Sequence, residues 1–412
     1  FYSLFGILIL SAFIQMGIVH TLSETFTEAV FKASGKLKDF FDLSLIIALL
    51  YSVNSFLESY LKSYIKVEVP IFMQSIGFRI LLLGLGFIYF FGWVSTSVFL
   101  NGIFVVIAIY LLITFLFFLR YKDFSLVPVK FINKDAFKSI LNYSAYMFMG
   151  ASGIIIVGKI DSLMVGREIG PEATAIYSVA FFIAVTIEMP KRVLSQVLHP
   201  MISSAFNRND LAEVASLYRK SATNQLLIGV LLFVLIWANI DDFFNLIPKE
   251  AFKAGKYVTL IIGLSKLINM GLGSNNEILT NSSFYRWYTY FLVLLVIITI
   301  GSNLILIPIY GLEGAAIATF ISLAIYNFLK VILIKFKLNL HPFETSQISI
   351  VIIGGLLSLL YFYPLPLNSI LSIIVKSSVI MVIYCLAAYY LNISKDANEW
   401  INKHIRLLKS KF

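Results

Sequence analysis

Lys159-Ile160-Asp161-Ser162-Leu163-Met164-Val165-Gly166, followed by Gly170-Pro171 and Ala175-Ile176-Tyr177-Ser178, separates two apolar stretches near 138 to 158 and 172 to 195. Each stretch has about the 20-residue length that an α-helix needs to cross a hydrocarbon layer of roughly 30 Å. A short charged break between two such stretches specifies a chain that crosses a membrane repeatedly. Charges at such a place mark a transport path more often than packing.

The rest of the chain repeats the pattern. Hydrophobic residues make up 59% of the 412 and charged residues 13%, with a mean hydropathy of +0.89, outside the range of soluble domains. The apolar runs are helix-length and do not alternate like barrel strands. The fold class is therefore all-α and polytopic. Runs and breaks predict about twelve spanning helices, near 1 to 19, 43 to 61, 71 to 93, 98 to 119, 138 to 158, 172 to 195, 222 to 240, 257 to 279, 287 to 307, 314 to 334, 348 to 364 and 368 to 391. Most prolines fall near the breaks, but Pro190 and Pro200 follow Glu188 inside a run, predicting a kinked helix with freed carbonyls.

Lys and Arg set the orientation. Alternate connections together with the tail hold twenty-one, and the opposite connections hold eight. The positive-inside rule then places the richer set, and the C-terminus, in the cytoplasm. Lys159 and Asp161 fall at the outer face, where they are expected to form an outer gate. The basic tail from Lys395 reads as an amphipathic helix on anionic lipid or as a solvated tail. The +10 formal charge thus implies membrane lipids as partners and no nucleic acid. The lone Cys385 gives no disulfide, and His20, His199, His341 and His404 lack metal-site spacing, so no metal and no cofactor is expected. Phosphate loops, acidic Asp-x-Asp pairs and nucleophile elbows are missing, and outer connections are short, which argues against an enzyme and against a membrane glycan polymerase.

Charges inside the spans are expensive and need a partner or a wet cavity. They are Glu58, Arg79, Glu188, Lys266, Glu277 and Lys376. Lys266, Asn269, Gly273 and Asn276 or Glu277 share one helix face, which lines a lumen or forms an interhelical hydrogen-bond seam. Glu58 has two readings, a lumenal acid or an i,i+4 ion pair with Lys62. Arg79 is a fixed cation suited to phosphate oxygens. Lys376 reads as a snorkelling side chain. A faint repeat relates Glu58 to Glu277 and Tyr110 to Tyr326, at offsets of 219 and 216 residues. It suggests two similar bundles of like orientation.

The 159–166 segment, Gly170 to Ser178, Met189-Pro190 and His199-Pro200-Met201-Ile202-Ser203 resemble the central segment of polysaccharide-export (Wzx-like oligosaccharide) flippases, in the multidrug and oligosaccharidyl-lipid exporter superfamily. Asp210 to Glu213, Leu217 to Lys220 and Gly311 to Thr319 add to the likeness. The resemblance implies two six-helix bundles around a central cavity. It divides the chain into an incomplete N-terminal bundle over 1–122, a C-terminal bundle over 136–338, and two additional helices with the basic tail over 339–412. Because Phe1 opens inside an apolar run, the chain is read as truncated, with two helices before it. The implied function is transfer of undecaprenyl-diphosphate-linked oligosaccharide across a bacterial or archaeal cytoplasmic membrane by alternating access. Arg79 and Lys266 would neutralise the diphosphate. Glu58, Glu188 and Glu277 would exchange H+ or Na+ or pair with those cations. Polysaccharide polymerase and glycosyltransferases are the implied protein partners. The competing readings are a multidrug antiporter and a lipid II flippase.

Overall fold

A computed structural model describes residues 38–63, 72–120 and 158–394, together with 17, 138, 398, 399 and 402. The expected helices near 1 to 19 and 138 to 158, and most of the basic tail, lie outside the described residues. The described residues are helical and contain no strand. Among them, seven helices are long and apolar enough to cross a membrane, and a bent pair adds an eighth. One of the seven, 54 residues long, folds back at a turn and corresponds to two expected spans.

The chain divides into two compact units, Phe1–Asn142 and Tyr143–Phe412. In the first, α1 (Lys38–Ser63) and α2 (Phe78–Phe90) both pack on α3 (Thr96–Arg120). Leu57, Leu61 and Phe118 form the buried contact between α1 and α3. A π-helical turn at Met73–Gly77 opens into α2.

In the second unit, helical residues 158–168 precede α4 (Pro171–Val185), α5 (Met189–Asn207), α6 (Leu211–Ala238) and the short α7 (Ile240–Asn245). Then come α8 (Lys256–Gly271), α9 (Asn275–Asn281), α10 (Tyr285–Leu338), α11 (Thr345–Ser358) and α12 (Ser369–Tyr390). Local chemistry sets the ends. Pro171 and Pro190 occupy first-turn positions, where no intrahelical N–H is required. Asp210 accepts from the Glu213 N–H at 2.9 Å and caps α6, and Asn368 accepts from the Leu371 N–H at 2.9 Å and caps α12.

Two breaks shape the unit. Gly311, at φ 60° and ψ −129°, turns α10 back on itself, so residues 285–310 and 312–338 form two antiparallel arms. Gly273, at φ 57°, separates α8 from α9, which meet at a 51° bend. A Cβ at Gly273 would sit 2.7 Å from the Ala222 nitrogen on α6. Gly273→Ala therefore combines backbone strain with a backbone clash, and we expect a loss of about 2 kcal/mol or more, read as a lower unfolding midpoint in detergent.

The second unit's core has three parts. Met164, Val165, Tyr177, Ile262 and Ile307 join the 158–168 helix to α4, α8 and α10. Val230, Val234, Ile350, Ile380 and Tyr384 hold α11 and α12 against α6. Ile202, Tyr218, Ile278 and Ile334 close the end where α5, α6, α9 and α10 meet.

Candidate functional site

A polar group buried among membrane helices must find partners inside the protein. In the second unit the buried charges form two connected groups.

The first centres on Asp161, which is 3% exposed. One carboxylate oxygen accepts from the Asn303 amide at 2.6 Å, and the other accepts from the Tyr177 hydroxyl at 3.1 Å and from the Thr319 hydroxyl. These donors come from α4 and from both arms of α10, so the carboxylate ties four helical segments together. All three are neutral, and the carbonyl oxygen of the Asn303 amide is itself buried without a hydrogen-bond donor. A carboxylate beside an unsatisfied carbonyl is an oxygen-rich position that a small cation or a proton can complete. The neighbouring Lys159 is exposed.

The second group is built where the 171–207 span is interrupted. Residues Thr186–Glu188 form one 3-10 turn ahead of Pro190, and Glu188 stands at the start of α5. The Glu188 carboxylate meets the Lys266 ammonium of α8 at 3.1 Å and accepts from the Asn269 amide. Lys191, 5% exposed, donates back to the Asn269 backbone carbonyl at 2.7 Å and to its side-chain oxygen at 3.1 Å. Lys330, fully buried on the second arm of α10, donates to Asn276 at 2.7 Å and lies 4.0 Å from the centre of the Tyr326 ring. Glu277, 7% exposed, interacts electrostatically with both Lys191 and Lys330, and one of its carboxylate oxygens has no hydrogen-bond donor. Three lysines and two glutamates thus share one interior.

The two groups are near neighbours. Lys266 lies 5.8 Å from the Phe181 ring, Phe181 stacks on Tyr177 at 6.1 Å, and the Tyr177 hydroxyl binds Asp161. The Lys266 charge also acts on Asp161 directly.

The structure brings Glu188, Lys266 and Asn269 together, with Glu277 around the helix break. Every polar member of the Lys266 stripe reaches another helix: Lys266 and Asn269 reach Glu188, and Asn276 reaches Lys330. Glu58 belongs to the other unit. It is 4% exposed and accepts from Asn54 at 3.0 Å and from the Tyr110 hydroxyl. The Lys62 side chain lies outside the described residues, so the i,i+4 pair is not described. Arg79, on α2, is exposed. Lys376 meets Asp242 at 3.4 Å, so it is paired and does not merely snorkel. Asp241 meets Lys256 at 2.7 Å.

Sequence reading missed Lys191 and Lys330, which counted among the basic connections but are buried. The available signals were local. Lys191 follows Glu188 by three residues, and Lys330 follows Asn327 and Tyr326 on one helix face. Asn303 and Thr319 carried no such signal, because their partner lies 142 and 158 positions away. Among the described residues no group of three or more His, Cys, Asp or Glu could hold a metal ion.

Comparison with known proteins agrees with the helical fold. Residues 93–241 match the family described as "Polysaccharide biosynthesis protein". Over 200 residues the chain is 22% identical to the "Probable low-salt glycan biosynthesis flippase Agl15" of Haloferax volcanii. That match covers 47% of this chain and 42% of the relative, so it spans less than half of the relative's length. Among solved structures, the "Lipid II flippase MurJ, inward closed conformation" superposes with a TM-score of 0.73 at 14% identity, over 95% of this chain and 84% of that one. The chain is a multi-pass membrane protein with the fold of that flippase, and its residues 93–241 match the polysaccharide biosynthesis protein family.

Proposed function

We propose that this protein moves a diphosphate-linked oligosaccharide on a polyprenyl carrier, of the undecaprenyl type, from the inner to the outer leaflet of a cytoplasmic membrane. Its C-terminus faces the cytoplasm, and its direct partners are the lipid-linked oligosaccharide and the surrounding lipid. The observation that carries this reading is the buried group of Lys191, Lys266 and Lys330, held by Asn269, Glu188 and Asn276 in turn. A diphosphate crossing hydrocarbon needs compensating cations away from water, and buried lysines supply them. In the described arrangement Glu188 occupies Lys266. An entering diphosphate replaces that carboxylate, and the displaced charge is felt at Asp161 through Lys266. Asp161 is the proposed position for the coupling H+ or Na+, because its partners are neutral and the Asn303 carbonyl beside it is unsatisfied. Arg79 is proposed to serve the diphosphate from the first unit, and Lys159 with Asp161 to mark the outer end of the path. Glycosyltransferases and a polymerase would supply and consume the cargo.

Lipid II transfer is the second reading, favoured by the likeness to MurJ. Both cargoes present a diphosphate, so the lysine group serves either. A cationic-drug antiporter fits poorly, because its substrate needs an available acid and Glu188 is already paired with Lys266. The test is leaflet transfer of fluorescent lipid-linked oligosaccharide in vesicles, beside lipid II and a cationic dye. Transfer of the oligosaccharide, diminished in Arg79→Ala and Lys266→Ala, is the expected result. Transfer of the dye alone would overturn the reading.

A further inference from the structure

At the end of the second unit that bears Arg208, Lys335 and Lys337, a polar cavity of about 540 Å³ opens between α6, the start of α11 and the residues following α12. It is separate from the lysine group. Arg219 and Lys220 stand on its α6 wall, Ser346 on its α11 wall, and Asn392 and Ser394 on its third wall. Glu344, the one acid among the described lining residues, is engaged by the Thr223 hydroxyl at 3.2 Å and faces Arg219 at a long 3.7 Å. The Ser346 hydroxyl oxygen is buried without a hydrogen-bond partner. No side chain caps the first turn of α11; the Gln347 N–H donates to the Glu344 carbonyl at 3.1 Å, which leaves the Thr345 and Ser346 N–H groups for an acceptor.

We propose that this cavity binds a phosphate-bearing anion, supplied by an anionic phospholipid headgroup or by free phosphate. Arg219 and Lys220 provide the charge, and the Ser346 hydroxyl and the α11 amides provide directed donors. The expected membrane level suits such a ligand. The expected span begins near residue 222, so residues 216–220 meet the headgroup layer of the basic, inner side. The two helices that follow the six-helix bundle thereby complete a site with α6, and the bound anion would fix their position on it.

The test uses the purified full chain in detergent, with native mass spectrometry reading bound ligand and thermal unfolding reading stabilisation. Phosphatidylglycerol, phosphatidylcholine and inorganic phosphate are titrated in turn against the wild type, Arg219→Gln/Lys220→Gln and Thr345→Glu. Thr345 is exposed in the first turn of α11, where a glutamate suits the helix while placing negative charge at the cavity. Phosphatidylglycerol should bind and raise the unfolding temperature of the wild type, with affinity about tenfold weaker in both variants, because charge-assisted hydrogen bonds are lost. If inorganic phosphate reproduces the shift, the ligand is soluble phosphate. If it does not, the ligand is lipid. Equal binding by wild type and variants, equal effects of phosphatidylglycerol and phosphatidylcholine, or no effect of any ligand would overturn the proposal.

Discussion

Lys266→Ala is expected to slow leaflet transfer of diphosphate-linked oligosaccharide by at least about tenfold, the equivalent of one lost charge-assisted hydrogen bond. Lys266 is the lysine that touches Glu188 and acts electrostatically on Asp161. Its loss therefore removes both a cation for the diphosphate and the link to the proposed coupling position. Lys266→Arg should retain part of the rate, because the guanidinium keeps the charge but changes the geometry. Glu188→Gln separates the two roles. It removes the competing carboxylate, so cargo should bind more tightly while release slows. A purely structural ion pair would behave differently, with Lys266→Ala and Glu188→Gln lowering stability together and shifting cargo affinity in neither direction.

The largest stability effect is expected at Asp161. Replacing it with alanine leaves the Asn303 amide and the Tyr177 and Thr319 hydroxyls without their shared acceptor in a buried site. With unsatisfied buried groups costing about 1–3 kcal/mol each, the loss should reach about 3 kcal/mol or more, seen as a lower midpoint of unfolding. Asp161→Asn keeps the shape and part of the hydrogen bonding, so it should unfold closer to the wild type. If Asp161 carries the coupling ion, that variant should also transfer cargo at a rate that no longer responds to an imposed proton or sodium gradient. A retained gradient response would move the coupling position elsewhere, with Glu277 and its unsatisfied oxygen the next candidate.

These residues also show what the sequence could disclose. Apolar run length anticipated most of the described spans, because a hydrocarbon layer imposes one length on every helix that crosses it. The run near 71 to 93, however, gives only the shorter helix Phe78–Phe90, and that near 257 to 279 is a bent pair. Glu188, Lys266 and Asn269 stood out because charged and amide groups inside apolar runs demand partners, although the sequence did not say that they would meet each other. Glu58 and Tyr110, matched by the faint repeat with Glu277 and Tyr326, do hydrogen-bond in the first unit. In the second, Tyr326 packs beside Tyr288, on which the Glu277 charge acts. Lys191 and Lys330 were obscured because the positive-inside rule counts every basic residue near a helix end alike. Burial of Lys330 depends on the chain breaking at Gly273, which brings Asn275 and Asn276 to α10. Asp161 was legible as a motif and not as a tied core group. Its donors are assembled only when α10 turns at Gly311 and brings Asn303 and Thr319 to one point.

The most direct measurement is the affinity of the purified full chain for a polyprenyl-diphosphate-linked oligosaccharide, compared among the wild type, Lys266→Ala and Glu188→Gln. The predicted result is binding about tenfold weaker in Lys266→Ala, with tighter binding in Glu188→Gln. Affinity unchanged in both variants would contradict a lysine group that receives the diphosphate.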